Sequence, residues 1–458
     1  MYTKAVLTRA SLRSMAKMVR SREVSPVELV AAHLAEIDRR NPALNAFRMI
    51  FGDDATAAAR AQGDPIGPLA GVPVTVKDSF DVAGFPTQAG SRLRDGHRAT
   101  EDAVAVARLR AAGAILIGKT NTPELLASYE TDNLVTGRTN NPWDGERTPG
   151  GSSGGEAAAI AAWCSPGGVA TDGGGSIRVP AHFCGIAGLK PTPGRLSTRG
   201  HYPSLGYPGG LTSVVGPMAR SADDLRLLFS VLAGFDAEDP FSTPAPAEER
   251  PRAPVRLGVW RQFYNVPVDP EIGQAIDRAA ALAEDAGWGV ELFGPRGLER
   301  TPNVWATLFM WPLIALRKLV EGHEPECHWT LLESIAAAPA PPTAEQLLTA
   351  LAARDRLRAA LVRQMESFDA LLMPVSSIAA FHHRERKWTI AGQDIGLFQA
   401  MMPAVVANVL GLPAVTIPIR LSSQGLPLGV QLVGRPYEDE RLLDAAVSLE
   451  EARGPWTG

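Results

Sequence analysis

Cysteine is nearly absent from this chain. Three occur in 458 residues (Cys164, Cys184, Cys327), an odd number without a C-x-x-C pair. That argues against a disulfide framework and for a reducing, cytoplasmic setting. Long apolar runs are missing too. No stretch reaches the about eighteen consecutive apolar residues that a membrane-spanning helix needs. The first segment, MYTKAVLTRASLRSMAKMVRSREVS, carries no apolar run of the signal-peptide type. Charge of one sign is not in excess, with 45 basic against 49 acidic residues and a net charge of −4. Nor is there a basic stretch of the kind that tracks phosphates, which argues against nucleic acid as a partner. None of His201, His323, His328, His382 and His383 stands in a telling motif, and no internal repeat is evident.

What is present is a 45% hydrophobic composition, ample for a large core. Ser25-Pro26-Val27-Glu28 reads as a helix start, with serine capping, proline at the first helical position and glutamate reaching back. That helix is expected to run to Arg40 and stop before Asn41-Pro42. Val72 to Val76 is short and β-branched, so it reads as a strand with Lys77 at its end. Glu101 to Ala112 reads as a helix capped by Gly113, and Ala114 to Ile117 as the next strand. This alternation predicts an α/β layered fold. Residues 236–254 are rich in proline and charge and read as a surface crossing. A βαβ-like unit follows over 255–293. Residues 303–365 read as mainly helical, strands return at Ala370–Met373 and Ala414–Ile419, and a last helix spans Asp439 to Arg453.

Three segments carry chemistry. Lys77 closes GVPVTVKD, Ser152 lies in GGSSGGEAAA, and Ser176 follows three glycines in TDGGGSIRVPA. A serine hydroxyl is a weak nucleophile unless a base takes its proton, and a lysine kept neutral by desolvation can be that base. Ser153 and Glu156 have capping-box spacing, so Ser153 reads as a helix cap. Ser152 is one residue too early for that role, and reads as either an ordinary turn serine or a chemical one. The glycines before Ser176 allow close backbone approach, and successive N–H groups there can converge on a developing oxyanion. Taken alone, Lys77 reads first as a solvated charge at a strand end, with a catalytic role as the lesser alternative.

Together these segments resemble the amidase signature family. Supporting matches are GKTNTPELLASYETDN at 118–133, NPWD at 141–144, and NVLGLPAVTIPI with GLPLGVQLVG between 408 and 434. The resemblance covers most of the chain and is weakest over about 236–368. It rests on three motifs in the expected order, with the two serines 24 positions apart. It implies a single domain over 1–458: a large mixed twisted β-sheet covered by helices on both faces, with its core at about 60–235 and 369–458. A mainly helical cap is expected within about 255–368.

The resemblance also implies a Ser–cis-Ser–Lys triad. Ser176 would be the nucleophile, Ser152 the bridging serine after a cis peptide bond from Gly151, and Lys77 the base. Oxyanion donors would be the N–H groups of Gly173, Gly174, Gly175 and Ser176. Ser153, Asp172 and Arg178 would hold the site in place. Leu126, Ala127, Ser128 and Tyr129 would line the substrate channel. No metal or organic cofactor is implied. The expected partner is a small-molecule amide or carbamate, and a homodimer is compatible.

The implied reaction is hydrolysis of a linear amide through an acyl-enzyme, with an apolar or aryl amide, a carbamate (urethane) or an ester as substrate. Position 173 is glycine where many members carry a larger residue, which predicts a wider pocket or a looser loop there. Trp305, Phe309, Met310 and Trp311 form either a lid or helix packing. The tyrosine-rich segment expected of a glutamine-dependent transamidosome subunit is not found. Two rivals remain. One is an α/β-hydrolase using Gly150-Gly151-Ser152-Ser153-Gly154 as G-x-S-x-G with one of His201, His323, His328, His382 or His383. The other is a non-catalytic amidase-like subunit.

Overall fold

Strand alternation and short apolar runs assemble one large sheet in the computed structural model, which describes residues 3–63, 66–206, 209–245, 255–263, 265–309 and 311–456. Its strands are β1 (Phe47–Ile50), β2 (Pro73–Lys77), β3 (Ile115–Thr120), β4 (Gly167–Asp172), β5 (Ala187–Lys190), β6 (Val214–Ala219), β7 (Arg256–Val259), β8 (Gly289–Leu292) and β9 (Ala370–Pro374). A small hairpin, β10 (Lys387–Ile390) with β11 (Gln393–Gly396), stands apart, and β12 (Ala414–Leu421) and β13 (Pro427–Gly434) complete the set. The main sheet has eleven strands in the order β1-β3-β2-β4-β6-β5-β12-β13-β9-β7-β8. It is mixed: β2 runs parallel to β3 and β4, β7 runs parallel to β8 and β9, and the central ladder from β4 to β9 is antiparallel.

Helices cover both faces. On one face Val74, Val76, Val169, Val215, Val415, Ile417, Val430 and Leu432 pack against the helices Ala222–Leu232, Pro270–Asp285 and Asp439–Arg453. On the other, Ala170 and Met218 meet the helices Gly154–Ala161 and Arg178–Cys184. The helices Thr301–Leu308, Trp311–Val320, Trp329–Ala337 and Ala344–Gln364 form the cap, sharing a core with Met402–Val409. The segment expected as cap begins with β7 and β8, which extend the main sheet.

Ser25 and Glu28 form the predicted capping box. The helix does not stop at Arg40, however. It continues through Pro42 to Leu44 and closes at Asn45 with φ +52°. The Asn41 side chain accepts from the N–H groups of Ala46 and Phe47 and so ties the exit to the helix's last turn. Part of the predicted crossing, 246–254, lies outside the described residues, as does Met310. Among the described residues no helix is long and apolar enough to cross a membrane.

Candidate active site

Alternation along β2 places Lys77. Val74 and Val76 point into one core, so Thr75 and Lys77 face the opposite side, where the helix Gly154–Ala161 begins. The lysine is wholly buried. Its Nζ lies 2.7 Å from Ser152 Oγ, 3.0 Å from Ser153 Oγ and 3.2 Å from Thr171 Oγ1. These partners are all hydroxyls, and none is a carboxylate. Burial pulls its pKa down to about 7, against the opposing fields of Asp172 and Glu156. A neutral amine offers two N–H donors and a lone pair, which suits three hydroxyl neighbours, one of them donating.

The Gly151–Ser152 peptide is cis. Gly151 lies under the chain at Ser128, whose carbonyl oxygen would sit 2.4 Å from any added Cβ. The turn is held by Thr131, which donates to Gly150 O, and by Thr122, which donates to Ser152 O, each at 2.8 Å. Ser153 is not the cap the spacing predicted. It stands at the N-cap position, yet its side chain caps nothing, because its hydroxyl is engaged by Lys77. Glu156 turns instead to the hydroxyls of Thr75 and Thr120, and burial pushes its carboxyl up to about 7.

The glycine loop is anchored from below. Asp172 accepts from the N–H groups of Gly175 and Ile177, from Arg178 Nε and Nη2, and from Asn408 Nδ2. Burial works against this carboxylate's charge, but Arg178 and Asn408 hold it well below the usual range. Arg178 reaches on to Ala404 O, Gln431 Oε1 and Asn408 Oδ1. Sequence reasoning singled out neither Asn408 nor Gln431, although both lie within the segments that carry the resemblance. Thr171 was likewise missed.

The loop that results is short of acceptors. Gly175 spends its N–H on Asp172 and is not free for an oxyanion. Among the described residues the N–H groups of Gly173, Gly174 and Ser176 take no partner. Ser176 is partly exposed and its carbonyl accepts from Ser153 N–H. Ser152 and Ser176 line the same cavity of about 540 Å³, though their hydroxyls are not hydrogen-bonded to each other.

Leu126, Ala127, Ser128 and Tyr129 all line that cavity too. Tyr129 OH donates to Gly174 O at 2.8 Å. The space beside Gly173 is not the widening the sequence predicted. Phe309 fills it, with its ring edge 2.4 Å from where a Cβ would stand. Phe309 stacks on Trp305 with centroids 5.0 Å apart. The Trp311 side chain lies outside what the structure describes. Among the described residues no histidine lines the cavity. His201 is hydrogen-bonded to Pro203 O, and burial holds its pKa down at about 3. The residues before Gly150 form a loop, not the strand a nucleophile elbow requires.

Comparison with known proteins is consistent across the chain. Residues 28–443 match the family model described as Amidase. A glutamyl-tRNA(Gln) amidotransferase subunit of Methylococcus capsulatus is 32% identical, covering 97% of each chain. Its counterpart of the same name in Anaeromyxobacter dehalogenans is 35% identical, covering 98% of this chain and 97% of its own. Among solved structures, a 6-aminohexanoate cyclic dimer hydrolase in complex with substrate superimposes with a TM-score of 0.86 at 31% identity over 98% of each chain. A bacterial aryl acylamidase of the amidase signature enzymes gives 0.87 at 28% identity, over 98% of this chain and 97% of that one.

Proposed function

The chain belongs to the amidase family of amide-cleaving enzymes, and we propose that it is a serine hydrolase acting on apolar or aryl amides through a Ser176–Ser152–Lys77 triad. The observation that carries the reading is a fully buried lysine, its pKa drawn down to about 7, with its Nζ 2.7 Å from Ser152 Oγ. Lys77 draws a proton from Ser152 as Ser152 takes one from Ser176. Ser176 Oγ bonds to the substrate carbonyl carbon, and the resulting oxyanion is held by the N–H groups of Gly173, Gly174 and Ser176. The C–N bond then breaks, with Ser152 protonating the leaving nitrogen and the Lys77 ammonium restoring the Ser152 proton. That proton is essential, because an amine anion is a very poor leaving group. Water cleaves the acyl-enzyme by the reverse route. A carbamate or ester would follow the same steps.

A second reading is favoured by the curated relatives: glutamine-dependent amidotransfer within a complex. The cavity counts against it. Its charged lining is Glu333 and Arg386, paired with each other, and Arg386 also approaches Glu130. Arg386 keeps one guanidinium N–H without a partner, but its charge is already matched by Glu333 and Glu130, whereas Leu125, Leu126, Trp305, Phe309, Leu313 and Leu316 suit an apolar group.

Two measurements test the proposal. A fluorophosphonate probe should label Ser176, identified by mass spectrometry. Purified protein should also hydrolyse an aryl amide, with carbamates, esters and glutamine assayed beside it. Labelling at another serine would overturn the nucleophile assignment, and hydrolysis of glutamine in preference to every aryl amide would overturn the substrate class.

A further inference from the structure

Two side chains meet the glycine loop at Gly174. Measured from the point where a Cβ on Gly174 would stand, Tyr129 OH is 3.1 Å away and Trp305 Nε1 is 3.6 Å away. The tyrosine is spent, donating to Gly174 O. The tryptophan is not. Its residue is only 4% exposed, it lines the catalytic cavity, and its N–H has no hydrogen-bond partner. A buried donor without an acceptor is rare in native proteins and calls for an explanation.

The sequence around it explains its placement. Trp305 and Phe309 are four residues apart on the cap helix, so their rings share one side and stack. The Phe309 edge seats on the α-carbon of Gly173, which only glycine permits there. That contact fixes the indole against Gly174. The indole N–H therefore stands beside a loop in which Gly173, Gly174 and Ser176 also hold N–H groups without partners. Such a cluster is complementary to one thing in particular, an oxygen that becomes negative during the reaction.

We infer that Trp305 supplies a side-chain donor, from the cap, to the scissile carbonyl oxygen as it becomes the oxyanion. The inference rests on the acyl-transfer reading above and adds that the cap takes part in the chemistry itself. With the cap packed as it is, the oxyanion site already includes this donor, so substrate binding and transition-state stabilisation are linked through one helix.

The test removes the N–H and little else. The full-length protein is prepared with β-(3-benzothienyl)alanine at 305, where sulfur replaces the indole N–H at nearly equal shape, and in parallel as Trp305→Phe. Using 4-nitroacetanilide or whichever aryl amide the native protein turns over, kcat should fall about ten- to a hundredfold in both variants. KM should stay within about twofold, since the bond is strongest in the transition state. Thermal stability of the benzothienyl variant should not fall. A kcat within twofold of native in that variant, a loss confined to KM, or a fall in kcat matched by lost thermal stability would each overturn the inference. Fluorophosphonate labelling of Ser176 in the same samples separates the two levels. Labelled protein with unchanged kcat defeats only the role of Trp305, whereas unlabelled native protein defeats the acyl-transfer reading beneath it.

Discussion

The floor of the cavity and its cap treat polar groups in opposite ways. In the floor, Asp172, Arg178, Asn408 and Gln431 are wholly buried and bond to one another and to the chain until few groups are left over. On the cap side, Trp305 Nε1 and Trp329 Nε1 are buried without partners. A closed network cannot adapt, because each member's loss strands another. An open one awaits a partner from outside. The floor's side chains thus hold a geometry, while the cap keeps two indole N–H groups without partners of their own.

The sharpest break in this comparison is at the reacting hydroxyl. Ser176→Ala should reduce amide hydrolysis at least about a thousandfold while leaving the fold unchanged, measured by turnover and by thermal melting. Lys77→Met, which keeps the buried stem but removes the base, should come close to the same loss. Amide turnover retained in a folded Ser176→Ala protein would remove the chemical distinction between floor and cap.

Next in size is the floor's stability. Asp172→Asn leaves the Arg178 guanidinium buried without its counter-charge, which should cost about 3–5 kcal/mol. Urea unfolding measures it. If the variant were as stable as the native protein, the floor would not be the closed network described.

The sequence made some of this legible and hid the rest, for physical reasons. Lys77 could be placed because β-strand alternation is a local signal, and Val74 and Val76 fix which face it takes. The glycine loop announced itself through composition. Ser153 misled because the same spacing that forms a capping box also brings two side chains into a buried cluster, and Lys77 outcompetes the helix end for its hydroxyl. Asn408 and Gln431 were invisible as site residues because they reach Arg178 across more than 200 positions of chain. Phe309 filling the place beside Gly173 was hidden for the same reason: a glycine shows that room exists, not what occupies it.

That pairing gives a third prediction. Gly173→Ala drives a methyl into Phe309 and into Ser213 Oγ, 2.5 Å from the built Cβ. Activity should fall about tenfold through kcat as the stack lifts from the loop, since donor placement is worth up to about 10²–10³. Adding Phe309→Ala to Gly173→Ala should recover part of it. A double variant worse than both single variants would show that floor and cap do not meet at this point.

The smallest expected effect lies in pH dependence. Lys77 acts as a base only when neutral, and its pKa is drawn down to about 7. The kcat/KM for an uncharged amide should therefore rise with pH through about 7 and level off above it. Asp172 and Glu156 both act to raise that value against burial. Glu156→Gln removes one negative charge, so the ammonium form of Lys77 loses support and the rising limb should move to lower pH. The shift should be less than about one unit, because Glu156's own carboxyl is pushed up to about 7 and is only partly ionised there. Glutamine retains the contact geometry: its oxygen can accept from one of Thr75 and Thr120, and its amide can donate to the other, whose hydroxyl rotates to accept. A limb that moved to higher pH, or stayed fixed, would mean that the base does not feel this charge. The floor's network would then act by shape alone.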